Sequence, residues 1–529
     1  MTESKSYSEP QSSTWFRKIV TGGSLLSLVL CLTAYCVAAP QAARNNPSKG
    51  GVTANPSACE GPIRAHPANP HYLCYKGSPM LLISSDQRFR AVMNRDFDYV
   101  AFFDKLVSKG MNFTRIYPGS YVWFDDRGNS PAPGRQLVPW KRTTVGGAHE
   151  LLGGFKYDLD QWDEAFFARL HDFCAQARAR DIIVMVTLFN GIHKEVWENQ
   201  PLHATNNIQG VGTCAFGMVQ SLDADPRLLA YQEKYLVELV RRLNEFDNVM
   251  YYLCSEPQMS NQPATVWAPW LNRMTDLYRA TEATLPKKHL VGQAIDQEFY
   301  KGPGVTDFTA DPRIDFLTTR YLRGLEFLGT KYALNKPFVH HGSVTYSDAD
   351  VADNMLYRGD KLLATRVEAW EYLVGGSASY MQYNALFTTE HPRGSGSIDA
   401  VLDTLGTLKK FMEGFRYIGM RRDLSFLEGG VPAGAVAAGL SEPGRQYALY
   451  LHHGKAVGTR SYVATPGKHQ QTLTFNFPAG EYLFEWIQPA DGAILSAEKF
   501  THGGGARVLP TPVYSLDLAL RVRHVSEVR

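Results

Sequence analysis

Short, almost wholly apolar runs recur through the middle of the chain, and an amphipathic helical pattern follows each of them. The runs lie near residues 81, 113, 183, 250, 290, 316, 338 and 380. An apolar run that does not alternate with polar residues reads as a strand buried on both faces. The helical spacing is plain in Trp162–Ala179, where Phe166, Phe167, Leu170, Phe173, Cys174 and Ala177 share one face. Eight such strand–helix units are the pattern of a (β/α)8 barrel, expected over residues 71–424. Beyond Leu424 the period changes. YALYL (447–451), TLTFNF (472–477), YLFEWI (482–487) and LDLALRV (516–522) alternate between Gly/Pro turns. Residues 425–529 are therefore expected to form a small all-β sandwich.

The fourth run ends in chemistry. Asn248 to Pro257 reads NVMYYLCSEP. The proline stops the strand, which puts Glu256 at its carboxyl end, the end of a (β/α)8 barrel where active sites are built. A carboxyl group partly withdrawn from water there suits proton transfer. A Glu that merely ends a strand is the plain alternative. Other strand ends supply further candidates: Asp86 after the first, Arg115 after the second, Tyr321 after the sixth, His340 and His341 after the seventh, Glu390 after the eighth. Two long irregular connections follow the second and third strands, and loops of such length are usually functional. The second of them carries Asn190, His193 and Trp197. Trp123, Trp267 and Trp270 are further stacking platforms for a ligand, with plain packing as the competing use.

Composition excludes some classes. A formal net charge of +2 gives no electrostatic footprint for nucleic acid. Cysteine and histidine spacings suggest no zinc site, the strand-seven histidine pair lacks a third ligand, and no cofactor is expected. Ile19 to Ala39 is uncharged and follows Arg17 and Lys18. Residues 1–45 thus read as a signal peptide or a membrane anchor, and either places the rest outside the cytoplasm. Residues 46–70 read as a linker and the start of the mature chain. In that oxidising space Cys59 and Cys74 can pair.

Residues 70–420 resemble the clan A glycoside hydrolases, the cellulase-like (β/α)8 enzymes. The tail resembles the β-sandwich that ends many bacterial members, through Pro478-Ala479-Gly480-Glu481-Tyr482, Glu485-Trp486 and the Asp491-Gly492 turn. The resemblance implies that Glu256 is the general acid/base and that Arg115 supports the nucleophile. Ser255 stands where the clan has an asparagine that contacts the sugar's 2-hydroxyl. The clan's nucleophile is a glutamate ending the seventh strand, and KPFVHHGSVTYSD offers His340, His341 and Ser343 instead. A histidine adduct would be a cation rather than a neutral ester, so the partner carboxylate is sought among Asp86, Asp296, Glu298 and Glu390; an inverting reaction would tolerate their wider separation, and retaining against inverting stays open. The implied activity is an extracytoplasmic glycoside hydrolase acting on a polysaccharide or oligosaccharide. Asp86, Ser255, Asn190, His193, Trp197, Tyr321, His340, His341 and Glu390 would bind the carbohydrate. The competing expectation is a glycan-binding pseudo-glycosidase without catalysis.

Overall fold

Eight parallel strands form the centre of the computed structural model: β1 Leu82–Asp86, β2 Phe113–Ile116, β3 Ile183–Asn190, β4 Val249–Ser255, β5 Val291–Ala294, β6 Phe316–Thr319, β7 Phe338–His340 and β8 Ser379–Asn384. The structure describes residues 56–527 apart from 88, 125–127, 149–152, 295–307, 320–324, 342–344, 347–360 and 458–460. Ladder pairing runs from β2 through β8 and on to β1. The β1–β2 seam is closed by Asn112 and by side chains. The Asn112 N–H donates to the Ile83 carbonyl at 3.2 Å. Its side chain accepts from the Ile83 N–H at 3.0 Å, and Thr114 donates to Asp86 at 2.8 Å. Every residue of β3 and β4 is buried, as their unbroken apolar runs require.

Three outer helices begin at aspartate caps, Asp98, Asp163 and Asp225, whose carboxylates accept from first-turn N–H groups. On Glu164–Arg178 the six residues expected on the apolar face are the six that are buried. A helix is also expected between β5 and β6; residues 308–315 of that connection form turns, and 295–307 lie outside the described residues. Among the described residues no helix is long and apolar enough to cross a membrane. The stretch 19–39 also lies outside them.

After the barrel come antiparallel sheets of six and three strands. Their facing sides bury Phe426, Tyr447, Leu449, Leu451, Phe475, Phe477, Phe484, Leu518 and Leu520. The strand Gln446–His452 is buried along its whole length because its other face meets the barrel. There Tyr450 stacks on Trp370 at 5.3 Å. Asp517 takes a two-pronged ion pair from Arg366 of the helix Lys361–Val374, at 2.8 and 3.0 Å. Cys59 and Cys74 form a disulfide that pins the segment before the barrel.

Candidate active site

Glu256 follows β4 with φ 52° and ψ 47°, a left-handed backbone that few non-glycine residues adopt. Such outliers persist where their surroundings hold them, and they concentrate at functional sites. The Glu256 carbonyl accepts from Met259 N–H at 2.9 Å, which closes the turn Pro257–Ser260. The residue is 5% exposed.

Arg115, at the end of β2, is fully buried. Its Nε donates to Thr187 of β3 at 2.7 Å and one terminal nitrogen donates to Tyr117 at 3.0 Å. The other terminal nitrogen lies 3.3 Å from His341 Nδ1. A guanidinium can only donate, so His341 Nδ1 carries the lone pair and the ring proton sits on Nε2. The guanidinium carbon lies 4.2 Å from the Phe89 ring centre and 5.1 Å from that of Tyr252. Cation–π contact thus partly replaces the hydration that Arg115 gives up.

The expectation that Asp86 binds carbohydrate is corrected: it is fully buried and braces this arginine from behind. Its carboxylate accepts from Thr114 Oγ1 at 2.8 Å and from the Arg115 backbone N–H at 3.1 Å. Full burial pushes its pKa up to about 7, against hydrogen bonds from Gln87, Thr114 and Arg115 that pull it down. The native form therefore holds a proton that the unfolded chain has released, and stability falls as pH rises from about 4 to 7. Asp86→Asn removes that slope. In denaturant unfolding, the stability of wild type relative to the variant should drop by about 3–4 kcal/mol between pH 4 and pH 8; a pH-independent difference would refute this account of Asp86.

The two strand-seven histidines part company. His341 meets Arg115. His340 turns into the outer layer, stacks on Tyr372 at 3.8 Å and sits 3.6 Å from the buried carboxylate of Glu368. Glu368 also accepts from Tyr380 at 2.7 Å. The expectation that His340 binds ligand is corrected: its ring is fully buried against Tyr372 and Glu368, and of the two histidines His341 is the one that meets Arg115.

Trp197 is likewise corrected. It is 5% exposed, donates to the Cys214 carbonyl at 2.9 Å and meets His203 edge-on, so its faces pack the connection itself. Trp267 and Trp270 are buried in the helix Ala264–Ala283, where Trp270 donates to Gln232 at 2.8 Å. Trp123 and His193 are half-buried, with ring centres 5.2 Å apart. They end an aromatic path running from Phe89 through Tyr117 and Tyr121. Ser255 is fully buried, and among the described residues its Oγ has no hydrogen-bond partner. The Asn190 amide is engaged at both ends, accepting from Tyr117 at 2.9 Å and donating to the Gly191 carbonyl at 2.8 Å. Glu390 is exposed in the connection after β8. Tyr321, Ser343, Asp296 and Glu298 lie outside the described residues. No cluster of three or more metal-ligating side chains occurs among the described residues.

Thr187, Tyr117, Tyr252 and Gly191 belong to this site and were not singled out from the sequence. Tyr117 alone carried a readable signal, as the next residue but one after Arg115.

No family model matches the sequence. No curated protein matches it either. Solved structures do. One described as a glycoside hydrolase aligns at 12% identity and TM-score 0.56, covering 88% of this chain and 97% of the other. A glycoside hydrolase family 5 protein from Bacteroides vulgatus aligns at 12% identity and TM-score 0.58, covering 89% and 94%. A putative glycoside hydrolase from the same organism aligns at 13% identity and TM-score 0.60, covering 88% and 82%. At these identities the likeness is one of fold, and the chain has the barrel-and-sandwich fold of these glycoside hydrolases.

Proposed function

We propose that the protein is a glycoside hydrolase acting outside the cytoplasm on a polysaccharide or oligosaccharide, with Glu256 as its general acid. The observation that carries this reading is Glu256 itself: a carboxyl group at the carboxyl end of β4, held in a left-handed backbone. Arg115 orders the floor of the site, and Trp123 with His193 offers a half-exposed aromatic edge on which a sugar ring can rest. The Cys59–Cys74 disulfide and the basic-flanked apolar run support the location.

Because β7 ends at His340 and is followed by His341, a glycosyl ester has no carboxylate to form on at either position. Direct displacement by water, with inversion at the anomeric carbon, is the reaction that fits. Asp86 is buried behind Arg115 and keeps its proton, so the base would come from Asp296, Glu298 or Glu390, which follow the fifth and eighth strands in the sequence, and single amide substitutions would identify it.

One observation favours a second reading. His341 occupies the contact with Arg115 that a catalytic carboxylate would make, as in a glycan-binding protein that has lost turnover. A panel of plant and bacterial glycans separates the two, with reducing-end release and binding followed for wild type and Glu256→Gln. Release that falls by roughly 10²–10⁴-fold in the variant, with binding kept, is the expected result. Binding by both proteins without release by either would favour the second reading.

A further inference from the structure

The end of β3 grips the backbone of Glu256, and it does so through a glycine. Register pairs Asn190 with Ser255, and the next residue, Gly191, donates its N–H to the Ser255 carbonyl at 2.7 Å. A Cβ on Gly191 would stand 1.8 Å from the Glu256 carbonyl oxygen, 2.7 Å from its carbon and 3.1 Å from Pro257 Cα. All three are backbone atoms, so no side chain can swing aside to make room. The left-handed turn at Glu256 directs its carbonyl at this spot, and only a residue without a side chain leaves the spot open.

Gly191 is itself held. Asn190 Nδ2 donates to its carbonyl at 2.8 Å. Asn190 Oδ1 accepts from Tyr117 at 2.9 Å, and Tyr117 accepts from Arg115 at 3.0 Å. The Asn190 carbonyl takes a further bond from Gln220 at 2.9 Å. Hydrogen bonds therefore link the arginine of β2 to the Gly191 carbonyl, and through the Gly191 backbone its N–H holds the Ser255 carbonyl, in the peptide that leads into Glu256. We propose that Asn190 and Gly191 are positioning residues for proton donation by Glu256, and that Asn190 serves the reaction through the backbone rather than by touching sugar. This rests on Glu256 being the general acid.

The test exploits what an acid is needed for. A poor leaving group must be protonated as it departs; dinitrophenolate needs no proton. Asn190→Ala and Gly191→Ala are compared with wild type on an unactivated oligosaccharide and on the matching dinitrophenyl glycoside. The expected result is a kcat loss of roughly 100-fold on the oligosaccharide, the scale of a 1 Å misplacement. KM should stay nearly unchanged, and the loss on the dinitrophenyl glycoside should be only a few-fold. Equal losses on both substrates, or a loss confined to KM, would overturn the proposal. Asn190→Ala removes hydrogen bonds without adding atoms, so it decides the matter if Gly191→Ala does not fold. Wild type that hydrolyses neither substrate would instead remove the functional reading on which the proposal stands.

Discussion

Replacing Arg115 by methionine is expected to cost roughly 10²–10³-fold in turnover while changing stability by only about 2 kcal/mol. The stability estimate comes from two opposed effects. Thr187, Tyr117 and His341 each lose a buried partner, and an unsatisfied buried group costs about 1–3 kcal/mol. Against that, a fully buried guanidinium is removed and its desolvation penalty with it, and methionine fills much of the stem's volume. Catalysis has no such offset. Losing one preorganised donor at a reaction centre costs about 10²–10³-fold in other enzymes, and here Tyr117 would also lose its tie to Arg115. Arg115→Lys should do no better, because one ammonium cannot reach Thr187, Tyr117 and His341 together. Steady-state kinetics with urea unfolding on the same samples would decide. A methionine variant that keeps full turnover would remove Arg115 from the site.

The second large effect concerns His341. His341→Glu would put a carboxylate against Arg115, turning a hydrogen bond from the guanidinium to the imidazole into an ion pair. The variant should fold, since a buried charge gains a buried counter-charge. It should also gain a reaction that wild type lacks. A 2-deoxy-2-fluoro glycoside with a good leaving group should leave one glycosyl unit attached, seen as a mass increase on the peptide that contains position 341. Wild type should stay unlabelled. Labelling of wild type at another carboxylate would contradict the inverting route and identify a nucleophile outside β7.

Much of this fold could be read from the residues. The barrel strands announced themselves because they are buried on both faces, and apolar runs such as Val249–Cys254 have few other uses. The sandwich was legible for the opposite reason, a period of two. Gln446–His452 departs from it, with YALYL apolar throughout, because both faces are covered: Leu449 and Leu451 enter the sandwich while Ala448 and Tyr450 meet the barrel. Glu256 stands out in the sequence as a strand-end carboxyl and Arg115 through the family resemblance, and both are buried at barrel strand ends.

What escaped is what three-dimensional neighbours decide. Nothing in the pair His340-His341 says which ring turns inward; that follows from Glu368 and Tyr372 on the helix Lys361–Val374, about one turn apart there and far along the chain. Asn190 read as a ligand contact because it ends a strand, yet its amide is used up on Tyr117 and Gly191. Trp197, Trp267 and Trp270 read as platforms from their places near the barrel's top connections. Whether an indole lies over a cleft or under a helix is set by packing that lies outside the local pattern.

The most direct measurement is the dependence of hydrolysis rate on leaving-group pKa, made on aryl glycosides of the sugar found with the glycan panel. If Glu256 protonates the departing oxygen, wild type should show a shallow slope. Glu256→Gln should then show a steep one, with rates converging for the most acidic phenols. Equal slopes in the two proteins would contradict the account, because the proton would then come from somewhere other than Glu256.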